Sequence, residues 1–188
     1  MKNPHLLLLR FSALGDVAMT VPVIRCLYKS YPELKITFVS RPYLEPLFEE
    51  FENFNFYPID TGVRQKGVKG ICTLFSELIK TPFSGVADLH GVLRTHLLSF
   101  LFTTTFFRVK QINKGRIAKH RLIRKKNKKF QPLTPTIYRY ADVFRKLGFS
   151  INIEDHEFPD KKPIPEKFIN LYNQSDRKWI GRAPFASY

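Results

Sequence analysis

Cysteine is almost missing from this chain of 188 residues: there are two, Cys26 and Cys72, in no C-x-x-C or metal-ligand spacing. That excludes a disulfide framework and a cysteine-built zinc site. Both lie in apolar stretches and read as reduced core thiols of a cytosolic protein. Glycine is sparse as well, and the first small-residue turn, "SALGD", holds only Gly15. The G-x-G-x-x-G dinucleotide fingerprint is absent, which disfavours a Rossmann oxidoreductase. Long hydrophobic runs are lacking too. The longest, "LLSFLFTTTFF" from Leu97 to Phe107, is too short to span a bilayer, and no signal-peptide pattern precedes Arg10. Acidic residues are scarce: 16 Asp and Glu stand against 31 Lys and Arg, a formal charge of +15.

What is present is a substantial core and a concentrated positive charge. At 44% hydrophobic and 14% aromatic the chain is a folded domain, not a disordered tail. From Arg108 to Lys129, "RVKQINKGRIAKHRLIRKKNKK" carries eleven Lys and Arg and no acidic residue. Such a segment attracts the phosphates of nucleic acid, anionic lipid or phosphorylated sugars. The plainer alternative is a solvated basic loop.

Strand-like and helix-like segments alternate along the sequence. Leu6 to Phe11 is a continuous apolar strand, "KITFVS" (Lys35 to Ser40) a second, "NFYPI" (Asn55 to Ile59) a third and "GVADL" (Gly85 to Leu89) a fourth, with "TTFFRV" as a fifth. Between them, Ile24, Leu27, Tyr28 and Tyr31 form one helical stripe, with Thr20 as its N-cap. Pro42 opens a further helical stretch, and "GICTLFSELIK", "HGVLRTHLLSFLF" and "TPTIYRYADVFRKLG" read as helices, the last stopped by Gly148. The pattern implies an open α/β fold with a parallel sheet. A proline-rich, charged connection, "FPDKKPIPEKF", then leads to a short helix, "EKFINLYNQ", and an apolar strand, "KWIGRAPFA". The expected division is a Rossmann-like domain over 1–158, followed by the connection and first strand of another domain over 159–188.

In open parallel sheets ligands bind at the carboxyl ends of the strands. Asp16, His90 and Arg94 all follow strand ends and are expected to meet in one crevice. Asp16 carries two readings. It caps a helix N-terminus, or it faces a neutral hydroxyl whose proton it accepts. His90 is equally well a packed or hydrogen-bonded imidazole.

The stretch "RFSALGDVAMTVPVIRCLYKSYPELKITFVSRP" resembles the opening of the lipopolysaccharide heptosyltransferases of glycosyltransferase family 9, with their R-x-S-x-(I/L/M)-G-D-V turn and T-x-P-x-(I/L)-R helix. "DLHGVLRTHLLSFLF", "TIYRYADVFRKLG" and "WIGRAPFAS" are similar to later elements of that family. The resemblance implies the N-terminal half of a GT-B glycosyltransferase. It implies an inverting, metal-independent transfer of heptose from ADP-heptose, a nucleotide-sugar co-substrate rather than a bound cofactor. The acceptor it implies is a phosphorylated Kdo–lipid A core.

Carried over residue by residue, Asp16 falls on the family's general base. Ser12, Ala13 and Gly15 fall on the donor-phosphate turn, where Ala13 lacks the hydroxyl some relatives carry. Arg94 falls on a basic acceptor position, Arg64 and Lys66 on a basic loop after the third strand, and His90 where relatives have Gln or His. The family's nucleotide-binding elements would follow Tyr188, so this chain is expected to be inactive alone. The resemblance also implies a cytoplasmic protein, peripheral at the inner face of the inner membrane, reached through the basic segment. Two alternatives stand beside this one: a family-9 transferase for another sugar or acceptor, and a non-catalytic basic module binding membrane or nucleic acid. No specific nucleic acid is expected, since no RRM, KH or helix-turn-helix pattern occurs.

Overall fold

A strand that is apolar at every position must be covered on both faces, and the four-leucine run is. The computed structural model describes residues 3–125, 128, 130–159, 163, 165, 166, 168 and 169. In it β1 (His5–Leu9) sends Leu6 and Leu8 into one core cluster and Leu7 and Leu9 into another, all four fully buried. β1 is the central strand of a five-stranded parallel sheet of order β3-β2-β1-β4-β5. The others are β2 (Lys35–Ser40), β3 (Phe54–Pro58), β4 (Gly85–Asp88) and β5 (Val109–Gln111). The register sets Leu9 between Val39 and Asp88.

Helices cover both faces. α1 (Leu14–Ala18) and α2 (Thr20–Ser30) lie on the Leu6 face, where Val23, Ile24 and Leu27 of α2 are buried. On the opposite face lie α3 (Gly67–Leu78) and α4 (Leu93–Thr104), held by Ile71, Leu74, Leu98 and Phe102. α5 (Arg116–Ile123) follows β5 and buries no side chain. α6 (Thr136–Leu147) returns to the α2 face through Tyr140, Val143, Phe144 and Leu147. It ends at Gly148, whose φ of +98° favours a residue without Cβ. Phe38, Phe48, Phe51, Phe54 and Phe56 pack together over the β2–β3 side, which is where much of the aromatic content goes. Strand order reverses about β1, so the crevice between β1 and β4 at their carboxyl ends is the topological switch point.

Local departures from the sequence reading have physical causes. Thr20 is the first residue of α2 and not its cap, because Met19 keeps helical angles and joins α1 to α2; the Thr20 hydroxyl donates to the Val17 carbonyl at 2.6 Å. The stretch opened by Pro42 is a 3₁₀ helix, Pro42–Phe48, since Pro46 inside it lacks the N–H an α-helix would use. The strand expected at "TTFFRV" starts only at Val109. Thr103, Thr104 and Thr105 prolong α4 by donating their hydroxyls back to carbonyls of its last turns. The helix expected from His90 begins at Leu93, since the His90 and Gly91 N–H groups are given to Asp88.

Cys26 is buried, but Cys72 is exposed, because α3 turns Ile71 and Leu74 inward and Cys72 outward. The chain divides into compact units over Met1–Glu157 and Phe158–Tyr188. Of the short helix expected near 166–174, Glu166, Phe168 and Ile169 are described and helical; the apolar strand "KWIGRAPFA" lies outside the described residues. Among the described residues no helix is long and apolar enough to cross a membrane.

The loop after β3 folds back onto α3 at Gly70. There Gln65 is buried and its Oε1 accepts the Asp60 N–H at 2.7 Å. A Cβ at Gly70 would lie 2.4 Å from the Gln65 carbonyl carbon, backbone that cannot swing aside. Gly70→Ala is expected to destabilise the domain by about 1–3 kcal/mol in urea unfolding. An unchanged midpoint would show that this loop is not packed as described.

Candidate active site

The end of β1 supplies an unusual residue for a sheet interior. Arg10 directly follows the four leucines and is 6% exposed. Its backbone is tied to β2: the Arg10 N–H donates to the Val39 carbonyl at 3.2 Å, and the Ser40 hydroxyl donates to the Arg10 carbonyl at 2.7 Å. Its side chain crosses toward β4, where Nη1 donates to the Leu89 carbonyl at 2.9 Å. Nη2 donates to Oδ2 of Asp16. The guanidinium therefore sits in the mouth of the β1–β4 crevice with a carbonyl on one side and a carboxylate on the other.

Asp16 lies in the first turn of α1, yet it caps nothing. The N-cap of α1 is Ala13, with no side-chain cap, and the Asp16 carboxylate turns to Arg10 instead. The Tyr140 hydroxyl on α6 donates to the Asp16 carbonyl at 3.1 Å, fixing the residue from the other side. Burial raises the Tyr140 phenol to about 12, so this hydroxyl stays protonated as a donor. The Asp16 side chain remains 42% exposed, and Oδ1 has no hydrogen-bond partner among the described residues. A carboxylate with one oxygen anchored and the other open can accept a proton from an incoming hydroxyl.

His90 comes from the loop after β4. Asp88, fully buried, accepts the N–H groups of His90 (2.9 Å) and Gly91 (2.8 Å) through Oδ1. Gly91 turns there with a φ of +58°. The imidazole meets Phe11 edge-on, with ring centroids 5.7 Å apart. Desolvation first, then the charges of Arg10, Lys114 and Arg41, pushes its pKa down to about 4 against the pull of Asp16. His90 is a neutral imidazole near pH 7. The Lys114 ammonium is lowered by the same causes, desolvation and then Arg10 and Arg116, and is drawn up by Asp88 and Asp16.

Of the three residues expected in one crevice, Asp16 and His90 lie near each other at the switch point, while no contact among the described residues joins Arg94 to either. Ser12 and Ala13 lead into α1 and Gly15 lies in its first turn, with Ala13 and Gly15 exposed; a Cβ on Gly15 would meet nothing within 4 Å. Arg94 stands exposed in the first turn of α4. Arg64 and Lys66 lie in the exposed loop after β3, and Arg64 pairs with Glu77 of α3 at 3.0 Å. Nothing ties these two to Asp16. Three basic residues were missed: Arg10 and Lys114, whose charges act on both His90 and Asp16, and Arg41, whose charge acts on His90. Their signal was available, because each follows the carboxyl end of β1, β2 or β5. Among the described residues no group of three or more His, Cys, Asp or Glu is placed to hold a metal ion.

With this geometry in hand, likeness to known proteins acquires a location. No family model matches the chain. The lipopolysaccharide core heptosyltransferase OpsX of Haemophilus influenzae is 27% identical over 94 residues, which are 50% of this chain and 26% of that protein. A glycosyltransferase of family 9 from Veillonella parvula matches 80% of the chain and 43% of its own, at a TM-score of 0.55 and 21% identity. The E. coli heptosyltransferase WaaC, solved with ADP, matches 79% and 49% at 0.54 and 14% identity. E. coli heptosyltransferase II matches 92% and 51% at 0.50 and 18%. The aligned part spans about a quarter of the curated relative and about half of each solved structure. The chain has the open parallel α/β fold of the N-terminal half of a GT-B glycosyltransferase, and in sequence and fold it resembles the heptosyltransferases of glycosyltransferase family 9.

Proposed function

We propose that this chain is the acceptor-side half of a family-9 glycosyltransferase that moves heptose from ADP-heptose to a phosphorylated Kdo–lipid A core. One observation supports it above the others: the Asp16 carboxylate, anchored through one oxygen by buried Arg10 and open at the other, in the switch-point crevice. In this reading an acceptor hydroxyl gives its proton to Asp16 as its oxygen bonds to the anomeric carbon. The bond from that carbon to the nucleoside diphosphate breaks, the electron pair leaves with the phosphate, and the configuration inverts. No metal takes part in this reading. Arg10, Arg41 and Lys114 set positive charge around the crevice, which suits the phosphates of donor and acceptor. Neutral His90 offers a hydrogen bond without a charge. Adenine and ribose contacts belong to a C-terminal donor half in this reading.

This reading puts the protein on the cytoplasmic side, peripheral at the inner face of the inner membrane. α5 supports this. It carries Arg116, Lys119 and Arg121 and leaves Ile117 and Ile123 exposed, a basic and partly apolar surface that suits anionic lipid.

In a chain that includes the donor half, Asp16→Asn is expected to lower heptosyl transfer by roughly 10²–10⁴-fold while the circular dichroism spectrum is kept. Turnover at the wild-type rate would reduce Asp16 to a partner of Arg10. His90 gives a second test, through stability. The unfolded imidazole takes its proton near 6.5 and the folded one only near 4, so between these values the unfolded state holds more protons. The contribution of neutral His90 is complete above pH 6.5 and is lost as pH falls toward 4, at a slope that solvent screening of the half-buried ring holds below the ~1.4 kcal/mol per pH unit of one full proton. His90→Gln should flatten this part of the curve of urea midpoint against pH. Parallel curves for the two proteins between pH 6.5 and 4 would contradict the neutral, half-buried imidazole.

A further inference from the structure

A second histidine stands at the carboxyl edge of the sheet, and its neighbours decide which ring nitrogen carries the proton. His96 lies in the first turns of α4. Its N–H donates to the Val92 carbonyl at 2.8 Å, and the Thr95 hydroxyl closes the same turn by accepting the Val92 N–H at 3.1 Å. The ring reaches the ends of two strands. Its Nδ1 lies 3.1 Å from Oε1 of Gln111, the last residue of β5, and 4.0 Å from Oδ2 of Asp88, the last residue of β4. Gln111 alone would leave the tautomer open, since an amide offers a donor at one end and an acceptor at the other. The Asp88 carboxylate accepts and does not donate, so a lone pair on Nδ1 would face it unfavourably and a proton there favourably. The neutral ring therefore holds its proton on Nδ1 and keeps Nε2 as a hydrogen-bond acceptor.

Asp88 links this ring to the candidate site. It is fully buried, and its Oδ1 accepts the N–H groups of His90 and Gly91. Its Oδ2 has no hydrogen-bond partner among the described residues, which is costly for a buried carboxylate oxygen. The proton on His96 Nδ1 offsets part of that cost. One carboxylate thus steers both histidines, the backbone of His90 through one oxygen and the ring of His96 through the other. Beyond Nδ1 the His96 side chain is 45% exposed, and Nε2 has no hydrogen-bond partner among the described residues. This edge of the sheet is otherwise rich in donors: Arg10, Arg41, Arg94 and Lys114 can only give hydrogen bonds. No Asp or Glu occurs in the sequence between Asp88 and Asp142. A sugar hydroxyl that must itself donate finds few groups there to receive it, and Nε2 is one.

We propose that His96, with its ring set by Asp88 and Gln111, is a specificity-determining residue that receives a hydrogen bond at Nε2 from a hydroxyl of the acceptor saccharide. This rests on the glycosyltransferase reading above and adds to it a contact with no share in the proton transfer. Asp16 takes the proton of the reacting hydroxyl, and His96 recognises a different one. Asp88 and Gln111 are positioning residues, acting through the ring. A site that offers a lone pair to a hydroxyl rejects a sugar lacking that hydroxyl, because Nε2 would then be left unpaired against the substrate.

Imidazole nitrogen NMR of this chain at about pH 8, alone and with a deacylated, phosphorylated Kdo–lipid A core, tests it. His96 is expected to show a protonated Nδ1 and an unprotonated Nε2, and the Nε2 resonance should move when the saccharide is added. His96→Ala should weaken binding of that saccharide by about 3–10-fold, the worth of one hydrogen bond, and His96→Gln, whose amide oxygen can take the place of Nε2, should restore it to within about twofold. A purely structural role would lower the urea midpoint of both variants and leave the affinity alone, which would overturn the proposal. A proton on Nε2 in the free chain would overturn it as well. If the saccharide binds but His96→Ala binds it as tightly, the acceptor reading stands and the role of His96 falls. No binding to the unaltered chain would instead remove the acceptor reading, and this inference with it.

Discussion

A buried guanidinium is the constraint on which the rest of this domain turns. Removing a charge from water costs several kcal/mol unless partners replace the lost solvation. At Arg10 those partners are the Leu89 carbonyl and the Asp16 carboxylate. Satisfying them joins β1 to the end of β4 and draws the first turn of α1 over the crevice. Tyr140 then ties α6 to the same turn through the Asp16 carbonyl. The carboxylate that a cap would have spent on its own helix is instead displayed at the switch point. Structure and chemistry share one contact here, because what anchors Asp16 also presents it.

The electrostatics around that contact follow from where parallel strands end. Arg10, Arg41 and Lys114 leave β1, β2 and β5 on the same edge of the sheet. Their charges, with desolvation, keep His90 neutral and lower the Lys114 ammonium. Asp16 therefore stands in a largely positive rim, with fully buried Asp88 as the second carboxylate near Lys114. Asp16 does not make the crevice repel anions, because Arg10 is already paired to it and further cations stand nearby. The same positive character recurs on α5, with Arg116, Lys119 and Arg121.

Most of the sheet was legible because its signal is local. Four consecutive leucines, the β-branched "KITFVS" and "GVADL" read as buried parallel strands, and each is one. The switch-point rule also pointed to Asp16, His90 and Arg94, of which the first two lie near each other at the strand ends. What escaped was set by tertiary partners. Threonines that read as strand formers prolong α4, since their hydroxyls find carbonyls one turn back. The basic segment showed no apolar stripe, and α5 buries none, so periodicity had nothing to report. Asp16 could not be separated from a helix cap because its partner, Arg10, is six residues away and inside the sheet. Arg10 itself was visible in the opening motif, but nothing in the sequence shows that an arginine after a strand is buried. The same limit applies to Arg64, whose neighbour Glu77 emerges only once α3 packs beside β3.

The central claim is that Arg10 and Asp16 act as one unit, and a double-mutant cycle on the stability of this chain tests it directly. Arg10→Met, Asp16→Asn and the double variant would be compared by urea unfolding. The structure predicts that each single change destabilises the protein and that the two are coupled by at least about 1 kcal/mol, because losing Asp16 leaves a buried guanidinium with one partner fewer. Effects that add to within about 0.3 kcal/mol would mean that the two side chains do not meet in solution, and the presentation of Asp16 by Arg10 would be contradicted.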